Sequence, residues 1–332
     1  MTDQSMYCCT EARCNRARLI HGPAGLSCAN GHFFAFAPGT NVPVFAKEPE
    51  DANEYARQNA AVVHDNALRW VFATFETDEA SLRESLVARL QLDKGNKVLV
   101  TGAGAGNDLP YLARSLGGQG EIFAQDIAQQ MLLAGVERHQ ADLAHSDLEL
   151  HFSVSDATNL PFQDGYFDAA YHFGGINLFP DIRKGIAEMN RVVRPGGKVV
   201  IGDEGLAPWL SDTEFGKMLI RNNPLYACKV PLGLLPESAK SVRLSWELSN
   251  CFYVIEFSVA DQPLHINIDV PHLGMRGGSI RTRYFGQLEG VDPTLRDHIY
   301  AEAERLGLSR VECIESLLRR GLPAVDAEKN AK

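Results

Sequence analysis

One local unit limits the fold of this chain more than any other. Residues 97–100, Lys-Val-Leu-Val, run into Gly102-Ala103-Gly104-Ala105-Gly106, and a helical stretch follows. A short apolar run that meets alternate glycines and then turns helical reads as a strand, a tight turn and a helix. Glycine accepts the positive φ such a turn needs and leaves no Cβ between the backbone and a ligand. The helix behind it presents N–H groups without intrahelical partners. The pattern then repeats. Apolar runs at 121–125, 149–154, 167–173 and 198–202 alternate with helical stretches, and Asp126, Asp156, His172 and Asp203-Glu204 stand at or near their ends. Runs at 242–246 and 251–259 read as a closing antiparallel pair. The expected fold is α/β: a Rossmann-like, seven-stranded sheet with helices on both faces, binding its ligand at the carboxyl ends of the strands.

Spacing narrows the ligand. Asp126 lies 20 residues after Gly106, at the end of the next strand, where a carboxylate accepts from ribose hydroxyls. Asp156-Ala157 ends the third strand, placed for an adenine edge. A dinucleotide fingerprint needs G-x-G-x-x-G, but here the third glycine comes one residue early and Asn107 takes the expected place. No Gly-Lys-Ser/Thr follows, which excludes a P-loop.

The runs VLVTGAGAGNDLPYLA, IFAQDIAQQML, SDATNLPFQDGYFDAAYHFGGINLF and RVVRPGGKVVIGDEG resemble class I S-adenosylmethionine-dependent methyltransferases of the menaquinone/ubiquinone-biosynthesis-like group. The resemblance covers roughly residues 96–206. It implies that Gly102, Ala103, Gly104 and Gly106 lie against the methionine and ribose of the cofactor, with Tyr55 contributing from the preceding helix. Asp126 would hold the ribose, Ile127 and Met131 would flank the adenine, Asp156 and Ala157 would meet its amino group, and His172 would face the sulfonium. One position departs from the family pattern. Val100 stands where the family carries an acid two residues before the first glycine. Either Asn107, Asp108 or Tyr55 takes over that role, or the chain binds its cofactor weakly or without catalysing transfer.

Seven cysteines are present and four of them, Cys8, Cys9, Cys14 and Cys28, fall in the first 28 residues. With His32 they have zinc-ribbon spacing, and Cys9, Cys14, Cys28 and His32 form the expected tetrahedral set, with Cys8 as the alternative to Cys9. A similar ribbon precedes the catalytic domain of bacterial ribosomal-RNA guanine-N1 methyltransferases, which makes RNA the alternative acceptor to a small molecule. The net charge of −10 and the absence of a dense Lys/Arg run near the ribbon favour the small molecule.

Four regions follow: a zinc-ribbon-like segment (1–45), a helical lid or linker (46–95), the cofactor-binding domain (96–262) and a C-terminal extension (263–332) with a helical hairpin. No stretch approaches the ~20 apolar residues of a membrane span, and no apolar leader opens the chain, so a cytoplasmic location is expected. The candidate catalytic residues are His172, Asp203 and Glu204, with His64 and Asn177 behind them. Tyr55, Trp70, Trp209, Tyr226 and Trp246 are candidates for an apolar pocket wall. Arg276, Arg281 and Arg283 form a basic segment that would suit an anionic group. The hairpin, joined at Gly307-Leu308-Ser309, is the candidate homodimer contact. A third reading is a cofactor-binding assembly protein without transferase activity.

Overall fold

The computed structural model describes residues 4–46, 59–143, 147–263, 265–273, 279–285 and 291–329; Tyr55, Arg276, Gly277 and Gly278 lie outside them. The chain divides into two compact units, 1–264 and 265–332.

The larger unit holds two sheets. The second is the expected one. Strands β5 (Lys97–Thr101), β6 (Gln119–Asp126), β7 (Asp147–Val154), β8 (Phe167–Phe173) and β9 (Val193–Glu204) are parallel, and β10 (Ala239–Glu247) and β11 (Phe252–Val259) close it antiparallel. Their spatial order is β10-β11-β9-β8-β5-β6-β7. The order reverses at β5, so the crevice for a ligand opens between the ends of β5 and β8. Side chains alternate across the sheet: Val98 and Val100 join one core, while Leu99 joins the other.

Helices α1 (Ala60–Thr74) and α2 (Glu79–Ala88) precede the sheet. Within the helical 46–95 region the chain breaks between them. Glu76 adopts φ +47° and the Asp78 carboxylate caps α2 by accepting from Ser81 N at 2.8 Å. Helices α3 (Leu109–Ser115), α4 (Gln129–Leu143), α5 (Ile182–Val192) and α6 (Glu214–Asn222) complete the unit. No described helix is long and apolar enough to cross a membrane.

Residues 4–45 form a separate small sheet of β1 (Gln4–Cys8), β2 (Arg18–Gly22), β3 (Gly25–Ser27) and β4 (Phe33–Ala35). It is docked on the large sheet. Val154 N donates to Pro43 O at 2.9 Å and Phe45 N to Val154 O at 2.7 Å, which pairs the chain with edge strand β7. Leu19, Leu26 and Phe34 share a core with Leu99, Phe123, Phe162 and Phe167. The pairing covers part of an edge that would otherwise offer free backbone groups to another chain.

The smaller unit contains α7 (Ile280–Phe285), α8 (Pro293–Arg305) and α9 (Arg310–Lys329). Helices α8 and α9 pack as a hairpin over buried Ala303, Cys313 and Ile314. A reciprocal cap starts α9: Glu312 N donates to Ser309 Oγ at 3.2 Å and Ser309 N to Glu312 Oε2 at 2.8 Å. Arg281 is paired with Asp269 at 2.6 Å, so the basic segment is partly neutralised within its own unit.

Candidate functional site

A cavity of about 530 Å³ opens at the carboxyl ends of β5, β6, β7 and β8. Its polar wall starts with the glycine turn. Gly102 adopts φ +60° and Gly104 φ +53°. A Cβ on Gly102 would sit 2.9 Å from His172 Cε1, so the close approach of turn and imidazole requires glycine. Ala103, Gly104 and Ala105 also line the cavity. Gly106 lies next to these lining residues. Its φ is +80°, and its absent side chain makes room for Leu109 and His139, so it serves packing of the turn on α3 and α4.

Asp126 reaches the cavity and holds the turn at once, accepting from Gly104 N at 2.7 Å and Ala128 N at 2.8 Å. Burial pushes its carboxyl up, against the pull of the N–H groups of Ala128, Gly104 and Ile127. Ile127 and Met131 line the same wall. Asp156 and Ala157 line it from the loop after β7, where the Asp156 carboxylate accepts from Thr158 N at 2.7 Å and Thr158 Oγ1 at 2.9 Å.

At Val100, the position of the missing acid, the side chain is buried in the core. The charges nearby come from elsewhere. Arg83 of α2 and Asp108 at the start of α3 both line the cavity and meet at 2.6 Å. Arg83 is almost wholly buried and also bonds Glu79 at 2.7 Å. Burial opposes its charge, but Asp108 and Glu79 outweigh that and raise its pKa. Tyr171 Oη donates to the same Asp108 oxygen at 3.2 Å.

His172 lies where the cavity changes character. It is fully buried, and burial pulls its pKa down against the opposing charge of Asp203, so the ring is neutral near pH 7. Thr101 Oγ1 shares a hydrogen bond with His172 Nδ1 at 3.0 Å and reaches Met189 Sδ at 3.4 Å. Nε2, on the cavity side, has no hydrogen-bond partner among the described residues. Glu204 also lines the cavity, and burial together with its hydrogen bond to Asp203 and that carboxylate's charge pushes its carboxyl up to about 9. Asp203 itself does not line the cavity. It accepts from Asn177 N (2.7 Å), Glu204 N (2.9 Å) and Gly175 N (3.1 Å), and so organises the turn after β8. Asn177 is likewise engaged, donating to Glu204 O at 2.7 Å.

The far wall is apolar. His64, Leu68, Val71 and Phe72 share one face of α1, and Leu178, Phe179, Leu225, Leu248 and Phe252 face them. None of the described aromatic candidates for this wall lines it. Trp70 points off the opposite face of α1, Trp209 stacks edge-on against Trp246 at 5.8 Å, and Tyr226 is buried against Phe75 and Phe252. Gln125, one residue before Asp126, was not anticipated. It lines the cavity and donates to Ser155 O at 2.6 Å, tying the ends of β6 and β7 together.

The ribbon gathers Cys9, Cys14, Cys28 and His32. His32 Nδ1 stands 3.6, 3.1 and 3.3 Å from the three sulfurs, and Cys14 and Cys28 are 3.9 Å apart. A tetrahedron with bonds of about 2.0–2.3 Å has corners about 3.5–3.8 Å apart; the four donor atoms lie within 4.8 Å of one another, and the set fits zinc in number and type. Cys8 is excluded by direction, since its sulfur accepts from Gln163 Nε2 at 3.0 Å on the other side of the strand. Gly31, at φ +84°, closes the turn that brings Cys28 and His32 together.

Residues 98–197 match the family described as methyltransferase domain. A demethylmenaquinone methyltransferase from Geobacillus sp. (strain WCH70) is 32% identical over 44% of this chain and 56% of its own length. One from Geobacillus stearothermophilus is 26% identical over 67% of this chain and 92% of its own length. The chain thus spans little more than half of the first relative and most of the second. A phosphoethanolamine N-methyltransferase from Haemonchus contortus, solved with S-adenosyl-L-methionine, is 15% identical over 64% of this chain and 61% of that one, with a TM-score of 0.49. Over residues 98–197 the chain is therefore similar to methyltransferase domains, and its relatives include demethylmenaquinone methyltransferases.

Proposed function

We propose that this chain transfers the methyl group of S-adenosylmethionine to a small molecule with a flat, largely apolar ring of the quinone or phenol type. The observation that carries this reading is the single cavity that joins the glycine turn, Asp126 and Asp156 to an apolar wall, with His172 and Glu204 between them. Its volume of about 530 Å³ is that of a small-molecule site. The names of the quinone-biosynthesis relatives support the ring type.

When bound, S-adenosylmethionine supplies an activated methyl on a sulfonium, so the protein's task is chiefly alignment. Arg83 holds the cofactor's carboxylate and Asp108 its amino group, in place of the acid absent at Val100. Asp126 holds the ribose; Asp156 and Ala157 meet the adenine. Leu68, Val71 and Phe72 exclude water on the acceptor side. His172 Nε2 accepts the proton that the acceptor loses. Glu204, neutral near pH 7, donates a hydrogen bond to an acceptor oxygen. The ribbon holds one structural zinc through Cys9, Cys14, Cys28 and His32. RNA is less well supported as the acceptor, because Arg16 of the ribbon is spent internally on Glu188 and Leu160 O. Self-association through the C-terminal hairpin rests on its exposed Leu306, Val311 and Leu318 and is read by sedimentation.

Calorimetry with S-adenosylhomocysteine tests the shared premise, and silence at millimolar ligand would end it. Labelled methyl is then offered to phenolic and quinol small molecules and, separately, to total RNA. Label in the small molecules is expected; label in RNA alone would overturn the acceptor.

A further inference from the structure

The loop that carries Asp156 and Ala157 is held from two sides. Helix α5 holds one: Leu160 N donates to Glu188 Oε2 at 2.8 Å, and Arg191 donates to Phe162 O at 2.8 Å. The other is the cysteine knuckle. Asn159 Nδ2 donates to the carbonyl of Thr10, the residue after Cys9, at 3.0 Å. Cys8 N donates to Pro161 O at 2.8 Å. Gln163 Nε2 donates to Arg16 O at 2.7 Å, and Arg16 returns a bond to Leu160 O at 3.1 Å.

These contacts begin next to the ligand set. Thr10 adjoins Cys9, and Arg16 stands two residues after Cys14. The knuckle backbone is not one that relaxed chain adopts: Asn15 and Arg16 stand consecutively at φ +44° and +54°. Such a conformation persists only where its surroundings over-determine it. Cys9 N to Ala17 O at 2.9 Å is one such constraint, and an ion bound by Cys9 and Cys14 would be another. On the cavity side the connection is short, because Asn159 N donates to Asp156 O at 2.9 Å.

We propose that the ion held by Cys9, Cys14, Cys28 and His32 sets the affinity of the cofactor pocket by fixing the loop from Asp156 to Gln163 through Thr10 and Arg16. This rests on the zinc and adenine assignments above. The ion does no chemistry; it decides whether Asp156 and Ala157 stand ready for the adenine. Coupling of this kind is reciprocal, so an occupied pocket retains the ion by the same factor.

The test uses the full chain in zinc-loaded, chelator-stripped and zinc-restored forms, with far-ultraviolet dichroism as the fold check and calorimetry of S-adenosylhomocysteine as the readout. Stripping is expected to weaken binding at least about fivefold, and zinc to restore it. S-adenosylhomocysteine should slow zinc release to a chelating dye. Asn159→Ala should keep its zinc and bind S-adenosylhomocysteine about 2- to 10-fold more weakly. If stripping unfolds the chain, the variant and the dye release decide. Full zinc occupancy with unchanged affinity in the stripped form and in Asn159→Ala overturns the coupling and leaves the zinc assignment standing. A chain that takes up no zinc overturns both, while the Asp156 assignment still stands on binding by the zinc-free chain.

Discussion

At its polar end the cavity is walled by residues that follow one another along the chain. Gly102, Ala103, Gly104 and Ala105 follow β5, Asp126 ends β6 with Ile127 after it, and Asp156 and Ala157 follow β7. At its apolar end Leu68, Val71 and Phe72 come from α1, Leu225 from the connection after α6, and Leu248 and Phe252 from the β10–β11 corner. The polar end is therefore a property of local strand–turn geometry, whereas the apolar end exists only once distant segments have packed. Changes at the first should act on the cofactor, and changes at the second on the acceptor.

The strongest test of that division is Arg83→Met. Arg83 belongs to the polar end by charge, yet it comes from a helix outside the parallel strands. Removing it leaves Asp108 buried without its partner, and the chain should lose about 3–5 kcal/mol in chemical denaturation. Affinity for S-adenosylhomocysteine should fall more than affinity for methylthioadenosine, which lacks the amino-acid group. Equal losses for the two ligands would move Arg83 out of the cofactor site.

Gly102→Ala comes next. It combines a positive φ with a Cβ 2.9 Å from His172 Cε1. Binding of S-adenosylhomocysteine should weaken about 10-fold or more by calorimetry, with little change in the acceptor KM. Leu225→Ala should do the reverse, raising the acceptor KM several-fold, on the order of 1 kcal/mol of lost burial, with cofactor affinity unchanged. A variant at either end that shifts both constants alike would erase the distinction.

The mildest effect concerns pH. Glu204 is protonated in the folded chain up to about 9, well above an ordinary glutamate. The folded state therefore binds more protons than the unfolded one between the usual glutamate range and about 9, and this group makes stability fall as pH rises across that window. Acceptor turnover should fall as pH rises through about 9, when the hydrogen-bond donor is lost. Glu204→Gln should flatten both profiles; an unchanged turnover profile would remove Glu204 from the acceptor site.

The same contrast explains what could be read from the amino-acid sequence. The seven strands, their order of appearance and the polar wall were legible because strand-end glycines and acids act where they stand. That Cys9, Cys14, Cys28 and His32 gather was legible because their spacing is local, and the direction of the Cys8 side chain, turned to Gln163, fits the preference for Cys9 over Cys8. Arg83 was not legible: nothing in Glu79-Ala80-Ser81-Leu82-Arg83 indicates that α2 will lie beside the start of α3. Gly106 has a second, packing role that the motif did not reveal, since a Cβ there would meet Leu109 and His139. Asp203 was a plausible acid at a strand end, but three backbone N–H groups occupy it. Trp70 shows the limit of residue type, since the face of α1 that closes the cavity is set by helical phase, not by ring size.

The docking of the ribbon also has a consequence in time. Asn159 and the Thr10 carbonyl it bonds are 149 residues apart. At about 5–20 residues per second, roughly 7–30 s of synthesis separate the cysteine knuckle from the surface that will receive it. Through that interval four thiols, those of Cys8, Cys9, Cys14 and Cys28, have neither their sheet edge nor their loop to bury them. Early capture of an ion would let the knuckle wait as a finished piece, ready for β7 when it arrives.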